Sequence, residues 1–280
     1  MKKLISGKVR EVYEVSSDRL VIVTTDRISA FDVILSKLVA DKGKVLNAVS
    51  LFWFGLTRNI ISNHIISDNT ADMPEYFQKS EFEGRTVLVK KLKILPFEFI
   101  VRGYMFGNMW ECYSKSRSFC GQSIDGEYKL AEKLSAPMFT PSTKAHIGHD
   151  EYISFEQVKD TLGAELAETV KHISLKLYET CYALAYKRGI IIADTKFEFG
   201  LDENGKLVLA DEVLTPDSSR FWSLTDYEIG TSPKSYDKQF VRDWLLNHKK
   251  DGEMQFDNVP DSILSKTSEI YKECLQKVTK

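Results

Sequence analysis

The residues with the clearest chemical potential are two acidic side chains, Glu198 and Asp211, which flank an Asn204-Gly205 pair. Asn-Gly favours a two-residue hairpin turn, because both central positions of that turn need positive φ. The pairing that follows places Glu198 opposite Asp211, with Lys196 on the same face. Side chains opposed in this way start only about 5 Å apart at Cβ. The spacing therefore predicts two carboxylates and one cation at a single point on a hairpin.

Two carboxylates this close repel one another unless a positive charge lies between them. Magnesium that holds nucleotide phosphates fits, since it takes one or two carboxylates together with phosphate oxygens. Lys196 would then pair with a phosphate or with one carboxylate, while Phe197 and Phe199 point to the opposite face and into the core. The alternative is an exposed charged hairpin face on which Lys196 neutralises Glu198, and the spacing alone supports either interpretation.

A second candidate for phosphate binding is the segment 6–10, which contains Gly7, Lys8 and Arg10. A glycine lets the backbone approach a phosphate closely, and alternate cations would flank it. The segment is neither a Walker A loop nor a Gly-x-Gly-x-x-Gly fingerprint, so taken alone a solvated basic segment is the simpler interpretation. The candidate metal hairpin strengthens the phosphate interpretation.

Arginines mark two further candidate positions. Arg102 ends the apolar strand 98–101, and Arg220 closes a donor-rich turn at 215–220. Arginine binds carboxylate or phosphate through a bidentate fork, but an ordinary salt bridge is the simpler interpretation for either arginine taken singly. The polar loop 26–32 follows a buried strand, in a position where functional sites collect.

The elements that would position these residues follow from periodicity. Alternating β-branched and aromatic residues predict strands, and apolar residues three and four apart predict helices. Residues 114–150 are polar with interspersed glycine and proline, which predicts an irregular stretch. This order predicts an α+β protein with a small β-rich lobe at 1–95 and a larger mixed lobe at 96–280. The predicted strands are 9–15, 20–24, 86–93, 97–101, 190–193, 196–201 and 206–213, and the predicted helices are 45–60, 105–113, 166–184, 238–247 and 263–278.

Composition limits the partners. The chain has 280 residues, with 38 lysines and arginines against 40 aspartates and glutamates, so its net charge is −2. This balance argues against bulk electrostatic binding of nucleic acid or acidic membranes. No apolar run reaches the roughly 18 residues of a membrane span, and the cysteines include no Cys-x-x-Cys pair typical of zinc sites. A cytoplasmic protein with reduced thiols is expected.

Blocks of residues along nearly the whole chain resemble one family. The most specific is Asp194-Thr195-Lys196-Phe197-Glu198-Phe199-Gly200, an Asp-x-Lys-aromatic-Glu-Phe-Gly motif. On these motifs the chain resembles the SAICAR synthetases, the phosphoribosylaminoimidazole-succinocarboxamide synthases of purine biosynthesis. The other blocks, in the order in which the family has them, are 7–13, 26–32, 42–46, 95–104, 139–144, 149–151, 211–212 and 216–220.

The resemblance implies a fold related to ATP-grasp enzymes and distantly to protein kinases, with ATP between a small β-rich lobe and a larger mixed lobe. It implies a carbon–nitrogen ligase that joins L-aspartate to carboxyaminoimidazole ribonucleotide (CAIR). The reaction would consume ATP through an acyl phosphate and give SAICAR, ADP and phosphate. Magnesium would be the cofactor and the partners would be these small molecules, with no nucleic acid or membrane; the oligomeric state is not indicated.

The resemblance also implies roles for individual residues. Glu198 and Asp211 would hold magnesium, and Lys196 would contact a phosphoryl group. The remaining implied assignments are Gly7, Lys8 and Arg10 for the nucleotide phosphates, Leu92 to Ile94 for the adenine, Arg102 and Arg220 with Asp194 and Asp217 for CAIR, and the loop of His149, Asp150 and Glu151 for aspartate.

The sequence departs from the family pattern in two places. Where the family has a small residue followed by Gly-Ser, this chain has Phe106-Gly107-Asn108, and the Asn108 amide can still donate to a phosphate. The usual Pro-Gly before Lys42 is replaced by Ala40-Asp41. Two other functions stay open from the metal hairpin alone: a small-molecule kinase acting on a hydroxyl, and a nucleotide-binding module without catalysis. The retention of several charged candidate residues together disfavours the second.

Overall fold

The computed structural model describes residues 2–144 and 151–280. The α-helices of these residues are α1 (Lys42–Thr57), α2 (Asn108–Ser116), α3 (Phe155–Leu162), α4 (Ala164–Lys187), α5 (Gln239–Asn247) and α6 (Asp261–Thr279). The strands up to residue 144 are β1 (Lys2–Ser6), β2 (Arg10–Glu14), β3 (Arg19–Thr24), β4 (Ser29–Ala30), β5 (Val33–Ile34), β6 (Ile65–Ser67), β7 (Thr86–Lys90), β8 (Lys93–Ile94), β9 (Phe97–Tyr104), β10 (Ser118–Phe119), β11 (Gln122–Ser123), β12 (Lys133–Phe139) and β13 (Ser142–Thr143). The later strands are β14 (Ile190–Leu201), β15 (Leu207–Ala210) and β16 (Ser219–Ser223).

A five-stranded antiparallel sheet in the order β1-β2-β3-β7-β6 occupies the amino-terminal part of the chain. β2 and β3 form the predicted hairpin, with Val12 opposite Ile22. β1 has no counterpart among the predicted strands. All its residues are exposed at the sheet edge, so no alternation of apolar and polar residues marks it in the sequence.

β14 is the central strand of a second, seven-stranded sheet. Its first half lies between β16 and β9, and its second half pairs with β15 and β8. The predicted break between strands 190–193 and 196–201 is wrong, because neighbours on both sides continue the pairing through Asp194 and Thr195. One strand of twelve residues therefore crosses the sheet.

The hairpin between β14 and β15 has a different register from the predicted one. Glu198 pairs with Ala210, and Asp211 lies one residue beyond the strand. Asp202 explains the difference, since its carboxylate accepts hydrogen bonds from two backbone N–H groups of the turn, both at 2.9 Å. The turn is one residue longer than predicted and places Gly205 in the left-handed region, at φ 76°.

The main apolar core packs the seven-stranded sheet against α1, α4 and α6. Phe197 and Phe199 are fully buried there, which confirms the predicted inward face of β14. Lys196 and Glu198 therefore face the other side of the strand. The helices predicted at 45–60, 166–184, 238–247 and 263–278 are confirmed as α1, α4, α5 and α6.

Two regions differ from the predictions. The stretch predicted to be irregular contains β10 to β13 in its described part, and β12 pairs with β9. The sequence of β12 includes Pro137 and gives no strand pattern, so its conformation depends on its neighbour. The helix predicted at 105–113 begins at Asn108, after Gly107 with φ 60° and ψ −143°.

The described residues combine two large sheets and two small two-stranded sheets with six α-helices, which confirms the α+β class. The division into lobes at residue 95 stays a prediction. Within residues 2–144 and 151–280, no helix combines the length and the apolarity that crossing a membrane requires.

Candidate active site

A row of three charged residues crosses the seven-stranded sheet. Asp194 on β14 lies directly opposite Arg102 on β9 and directly opposite Arg220 on β16. Asp194 Oδ2 accepts a hydrogen bond from Arg102 Nη1 at 2.9 Å and another from Arg220 Nη1. Asp194 thus holds two guanidinium groups side by side, a geometry suited to a phosphate or carboxylate.

Further contacts fix Arg102. Its Nε atom donates to Thr140 Oγ1 at 3.1 Å, and its Nη2 atom donates to the Tyr152 hydroxyl at 3.3 Å. The guanidinium also lies over the Phe119 ring, 5.3 Å from its centroid. Since Arg102 is almost fully buried, these contacts set its position before any ligand binds.

Arg220 is the more exposed arginine of the row, with 31% of its side chain accessible. It lies against the start of α2: a Cβ atom at Gly107 would be 2.9 Å from Arg220 Nη2. The glycine therefore allows the close approach of helix and guanidinium. Asn108, the first residue of α2, is exposed beside them.

Lys196 lies two residues further along the same face of β14. Its Nζ atom is 2.6 Å from Glu98 Oε1 and 3.6 Å from Glu198 Oε1, and Glu198 also pairs with Lys144. Burial alone would lower the pKa of Lys196, but the charges of Glu198 and Glu98 outweigh it and raise that pKa. Lys196 is therefore an ammonium group held between two carboxylates.

Asp211 connects the amino-terminal sheet to the site. It is a non-glycine residue in the left-handed region, at φ 57°. Its Oδ2 atom lies 3.8 Å from Arg10 Nη1 on β2, and Arg10 also pairs with Glu212. Burial would raise the pKa of Asp211, but the charges of Arg10, Lys196 and Lys144 outweigh it and hold that pKa below its usual range.

Glu198 and Asp211 act on each other electrostatically although they are not paired across the hairpin. Burial, and then the neighbouring Asp211, raise the pKa of Glu198. In the described part of the chain, no group of three or more His, Cys, Asp or Glu side chains has the arrangement of a metal site. The pair nonetheless fits magnesium, which one or two carboxylates hold together with phosphate oxygens and water. A cation between them would relieve their repulsion.

A separate buried cluster of polar side chains joins α1, α6 and the loop before β16. Lys42, at the start of α1, is fully buried with its Nζ atom 2.5 Å from Asp217 Oδ2. The Tyr271 hydroxyl of α6 donates to Asp217 Oδ1 at 2.6 Å. Burial would raise the pKa of Asp217, but Lys42 and Lys238 outweigh it and hold that pKa below its usual range. Both oxygens of Asp217 are thus engaged by the protein.

Among the described residues, the predicted phosphate segment contacts the candidate site through Arg10. Lys8 pairs instead with Asp32, and both side chains are more than half exposed. The Gly7 carbonyl accepts a hydrogen bond from Arg27 Nη2 at 3.0 Å, and the Gly7 N–H donates to the Arg10 carbonyl at 2.8 Å. Lys8 would have to leave its carboxylate partner to meet a nucleotide phosphate.

The predicted adenine segment meets the far end of β14. Ile94 pairs with Gly200, and a Cβ atom at Gly200 would lie 2.7 Å from Leu92 Cβ. Ile94 is 44% exposed although it is apolar. An exposed apolar side chain beside the sheet offers a surface on which a planar ring can lie.

Four groups of the candidate site therefore follow one another along one face of β14. Asp194 with its two arginines comes first, then Lys196, then Glu198 beside Asp211, and finally Gly200 with the apolar segment. At about 3.3 Å per residue, Lys196 lies roughly 7 Å from Asp194, and Gly200 roughly 20 Å from it.

Comparison with known proteins identifies the family. The SAICAR synthetase family model matches residues 3–259. The chain belongs to the SAICAR synthetase family. Relatives called phosphoribosylaminoimidazole-succinocarboxamide synthase include one from Lachnospira eligens, 50% identical over 99% of this chain and 94% of its own length, and one from Thermodesulfovibrio yellowstonii, 50% identical over 100% and 96%.

Solved structures agree with this assignment to the SAICAR synthetases. SAICAR synthase from Saccharomyces cerevisiae, complexed with SAICAR, is 40% identical with a TM-score of 0.90, over 99% of this chain and 94% of that one. A SAICAR synthetase in complex with ADP is 25% identical with a TM-score of 0.71, over 98% and 97%. The resemblance and the predicted enzyme class, a carbon–nitrogen ligase of purine biosynthesis, are confirmed.

The roles of single residues in this chain stay predictions. His149 and Asp150, predicted for aspartate, lie outside the described residues. The chain that follows them returns to the site: the Thr143 N–H donates to the Glu151 carbonyl at 2.9 Å, and Tyr152 contacts the row arginine Arg102.

Some residues of this SAICAR synthetase site are absent from the predicted set. Four of them lie inside the sequence blocks that resemble the family, and those blocks could have pointed to them. These four are Lys42, Glu98, Lys144 and Glu212. Tyr271 had no such signal, because a tyrosine in an amphipathic helix is typical of an ordinary core residue.

Proposed function

We propose that this chain joins L-aspartate to CAIR with consumption of ATP, giving SAICAR, ADP and phosphate. A carboxylate is a poor acyl donor, since its leaving group would be oxide. Attack of a CAIR carboxylate oxygen on the γ-phosphorus of ATP releases ADP and forms an acyl phosphate. The amine of aspartate then attacks the acyl carbon and loses a proton, the bond to the bridging oxygen breaks, and phosphate leaves.

The order of groups along one face of β14 carries this proposal. Asp194 with its two arginines, the half-buried ammonium of Lys196, Glu198 with Asp211 beside it, and Gly200 with its apolar edge follow one another on alternate residues of β14. That is the order in which the phosphate of CAIR, its reacting carboxylate, the ATP phosphates and the adenine would lie. The relatives complexed with SAICAR and with ADP support the same ligands.

In this proposal the protein catalyses by positioning and by electrostatics, and no side chain acts as nucleophile. Arg102 and Arg220 would bind CAIR, with Asp194 keeping their forks aligned. Lys196 and Arg10 would offset negative charge on the transferring phosphoryl group. Magnesium held by Glu198 and Asp211 would supply further charge neutralisation on the phosphate oxygens.

Aspartate would enter beside the row of Arg102, Asp194 and Arg220. The described residues on either side of 145–150 contact the site, through the ion pair of Lys144 with Glu198 and the hydrogen bond of Tyr152 with Arg102. We propose that His149, Asp150 and Glu151 help to receive aspartate.

The test is isotope transfer from CAIR labelled with ¹⁸O in its carboxylate. If the acyl phosphate forms, the bridging oxygen leaves with phosphorus, and each phosphate released carries one ¹⁸O atom. ADP release should need CAIR, and phosphate release should need both CAIR and aspartate. Unlabelled phosphate formed together with SAICAR would refute the acyl-phosphate route.

Two other functions give different results in the same assay. A small-molecule kinase would leave the phosphoryl group on an acceptor hydroxyl and release no free phosphate. A nucleotide-binding module without catalysis would bind ATP and release no ADP with any combination of substrates.

A further inference from the structure

α6 begins at Asp261, after residue 259, where the match to the family model ends. Nevertheless, its inner face is buried against the part of the molecule that carries the site. Three contacts within about one helical turn, from Ser268, Tyr271 and Lys272, join this helix to the start of α1 and to the loop before β16.

Two of these contacts hold the residues that precede α1. The Ser268 hydroxyl donates to the Ala40 carbonyl at 2.7 Å, and Lys272 Nζ lies 2.7 Å from Asp41 Oδ2. Asp41 is in the left-handed region at φ 62°, a conformation that aspartate tolerates but most residues avoid. Ala40-Asp41 is the pair that replaces the family's usual Pro-Gly, so α6 supports the backbone at this departure.

The third contact reaches a residue of the proposed CAIR site. The Tyr271 hydroxyl donates to one oxygen of Asp217, and Lys42 occupies the other, at 2.6 Å and 2.5 Å. Tyr271 and Lys42 are both fully buried. Two donors on opposite oxygens fix the plane and position of the carboxylate, which one donor alone would leave free to rotate.

The loop that contains Asp217 is directly joined to β14. The Lys196 N–H donates to the Ser218 carbonyl at 3.1 Å, and the Ser219 hydroxyl lies 2.8 Å from that of Thr195. The next residue is Arg220 of the charged row. A displacement of Asp217 would therefore be transmitted to this arginine through a chain of three residues.

We propose that Tyr271 is a positioning residue for the CAIR site, acting through Asp217, and that α6 therefore belongs to the functional machinery. The inference rests on the proposed function, because it assigns the affected site to CAIR. The position of Tyr271 predicts a selective effect. Loss of its hydroxyl should weaken the binding of CAIR and leave the binding of ATP, at the other end of β14, unchanged.

The test compares Tyr271→Phe with Tyr236→Phe in steady-state ADP-release assays. Tyr236 is a matched control, since it is buried and its hydroxyl also contacts α6, at Glu273, without touching Asp217. Tyr271→Phe should raise KM for CAIR about tenfold, the usual scale for losing one hydrogen bond to a charged group, with KM for ATP and kcat within about twofold of wild type. Tyr236→Phe should leave all three values within about twofold.

A second variant separates action through Asp217 from a general loosening of α6. Asp217→Asn should weaken CAIR binding, and adding Tyr271→Phe to it should cause no further rise in KM, because the effect passes through one carboxylate. The inference is overturned if Tyr271→Phe leaves KM for CAIR unchanged, if the two effects multiply independently, or if Tyr236→Phe gives the same loss. A wild-type chain without CAIR-dependent ADP release overturns the proposed function itself, a result distinct from all of these.

Discussion

Asp194→Asn tests the charged row at the centre of the site. The change keeps the shape of the side chain and one acceptor oxygen but removes the charge that holds Arg102 and Arg220. Removing one partner of a buried ion pair costs about 3–5 kcal/mol, and the retained acceptor places this variant near 3 kcal/mol. With an unfolding entropy of about 2.1 cal/mol/K per residue, 280 residues give about 0.6 kcal/mol/K, so Tm should fall by about 5 °C.

The assay is thermal unfolding followed by circular dichroism, with Asp18→Asn as the control. Asp18 faces Arg19 at 3.6 Å on the exposed surface, and its loss should leave Tm unchanged within error. The double variant Asp194→Asn/Arg102→Met should lose less stability than the two single variants add up to, because it removes the uncompensated charge. A Tm for Asp194→Asn within 1 °C of wild type, or strict additivity in the cycle, would refute the reasoning.

Three further predictions concern the other parts of the site. Glu198→Gln and Asp211→Asn should each lower kcat at least a hundredfold while circular dichroism shows a folded chain. Glu203→Gln in the exposed turn is the control, and its kcat should stay near that of wild type. Normal turnover in either site variant would remove that residue from the metal pair. The pKa of Asp217 is lower in the folded state than in the unfolded state. Its contribution to stability is therefore present above its unfolded pKa of about 4 and is lost as pH falls below that value. Asp217→Asn should flatten the acid limb of a plot of unfolding free energy against pH, and an unchanged limb would contradict this prediction. Gly103→Ala should lower Tm, since a Cβ atom there would overlap a buried tyrosine hydroxyl, and an unaltered melting curve would show that the contact relaxes freely.

Local patterns in the sequence predicted most of the helices and the inward face of β14, because those features depend on periodicity within one segment. The predicted hairpin register was wrong because it used Asn204-Gly205 alone, whereas in the molecule the Asp202 carboxylate accepts hydrogen bonds from two backbone N–H groups of the turn. β12 could not be predicted, since its pairing with β9 is a contact between segments distant in sequence.

In the candidate site, too, features within one segment were predictable and contacts between distant segments were not. The shared face of Lys196 and Glu198 was predictable because the two residues lie two apart on one strand. The position of Asp211 directly opposite Glu198 was predicted wrongly, because it depended on the hairpin register. The pairing of Lys8 with Asp32, which keeps that cation away from the carboxylates, depends on a loop that comes from elsewhere in the chain. Tyr271 reaches Asp217 across 54 residues of sequence, and no spacing rule connects them.

The location of the charged groups on the central strand has a consequence for how the protein can change. Asp194 and Glu198 are buried acidic side chains and Lys196 is a half-buried basic one, in positions where apolar side chains of the same size would be cheaper to bury. Replacing a pair such as Lys196 and Glu98 by methionine and leucine should give a chain that resists heat better and catalyses nothing. Selection for thermal tolerance alone would therefore erase the activity, and only a screen that demands turnover at every round can make this scaffold more robust without losing its function.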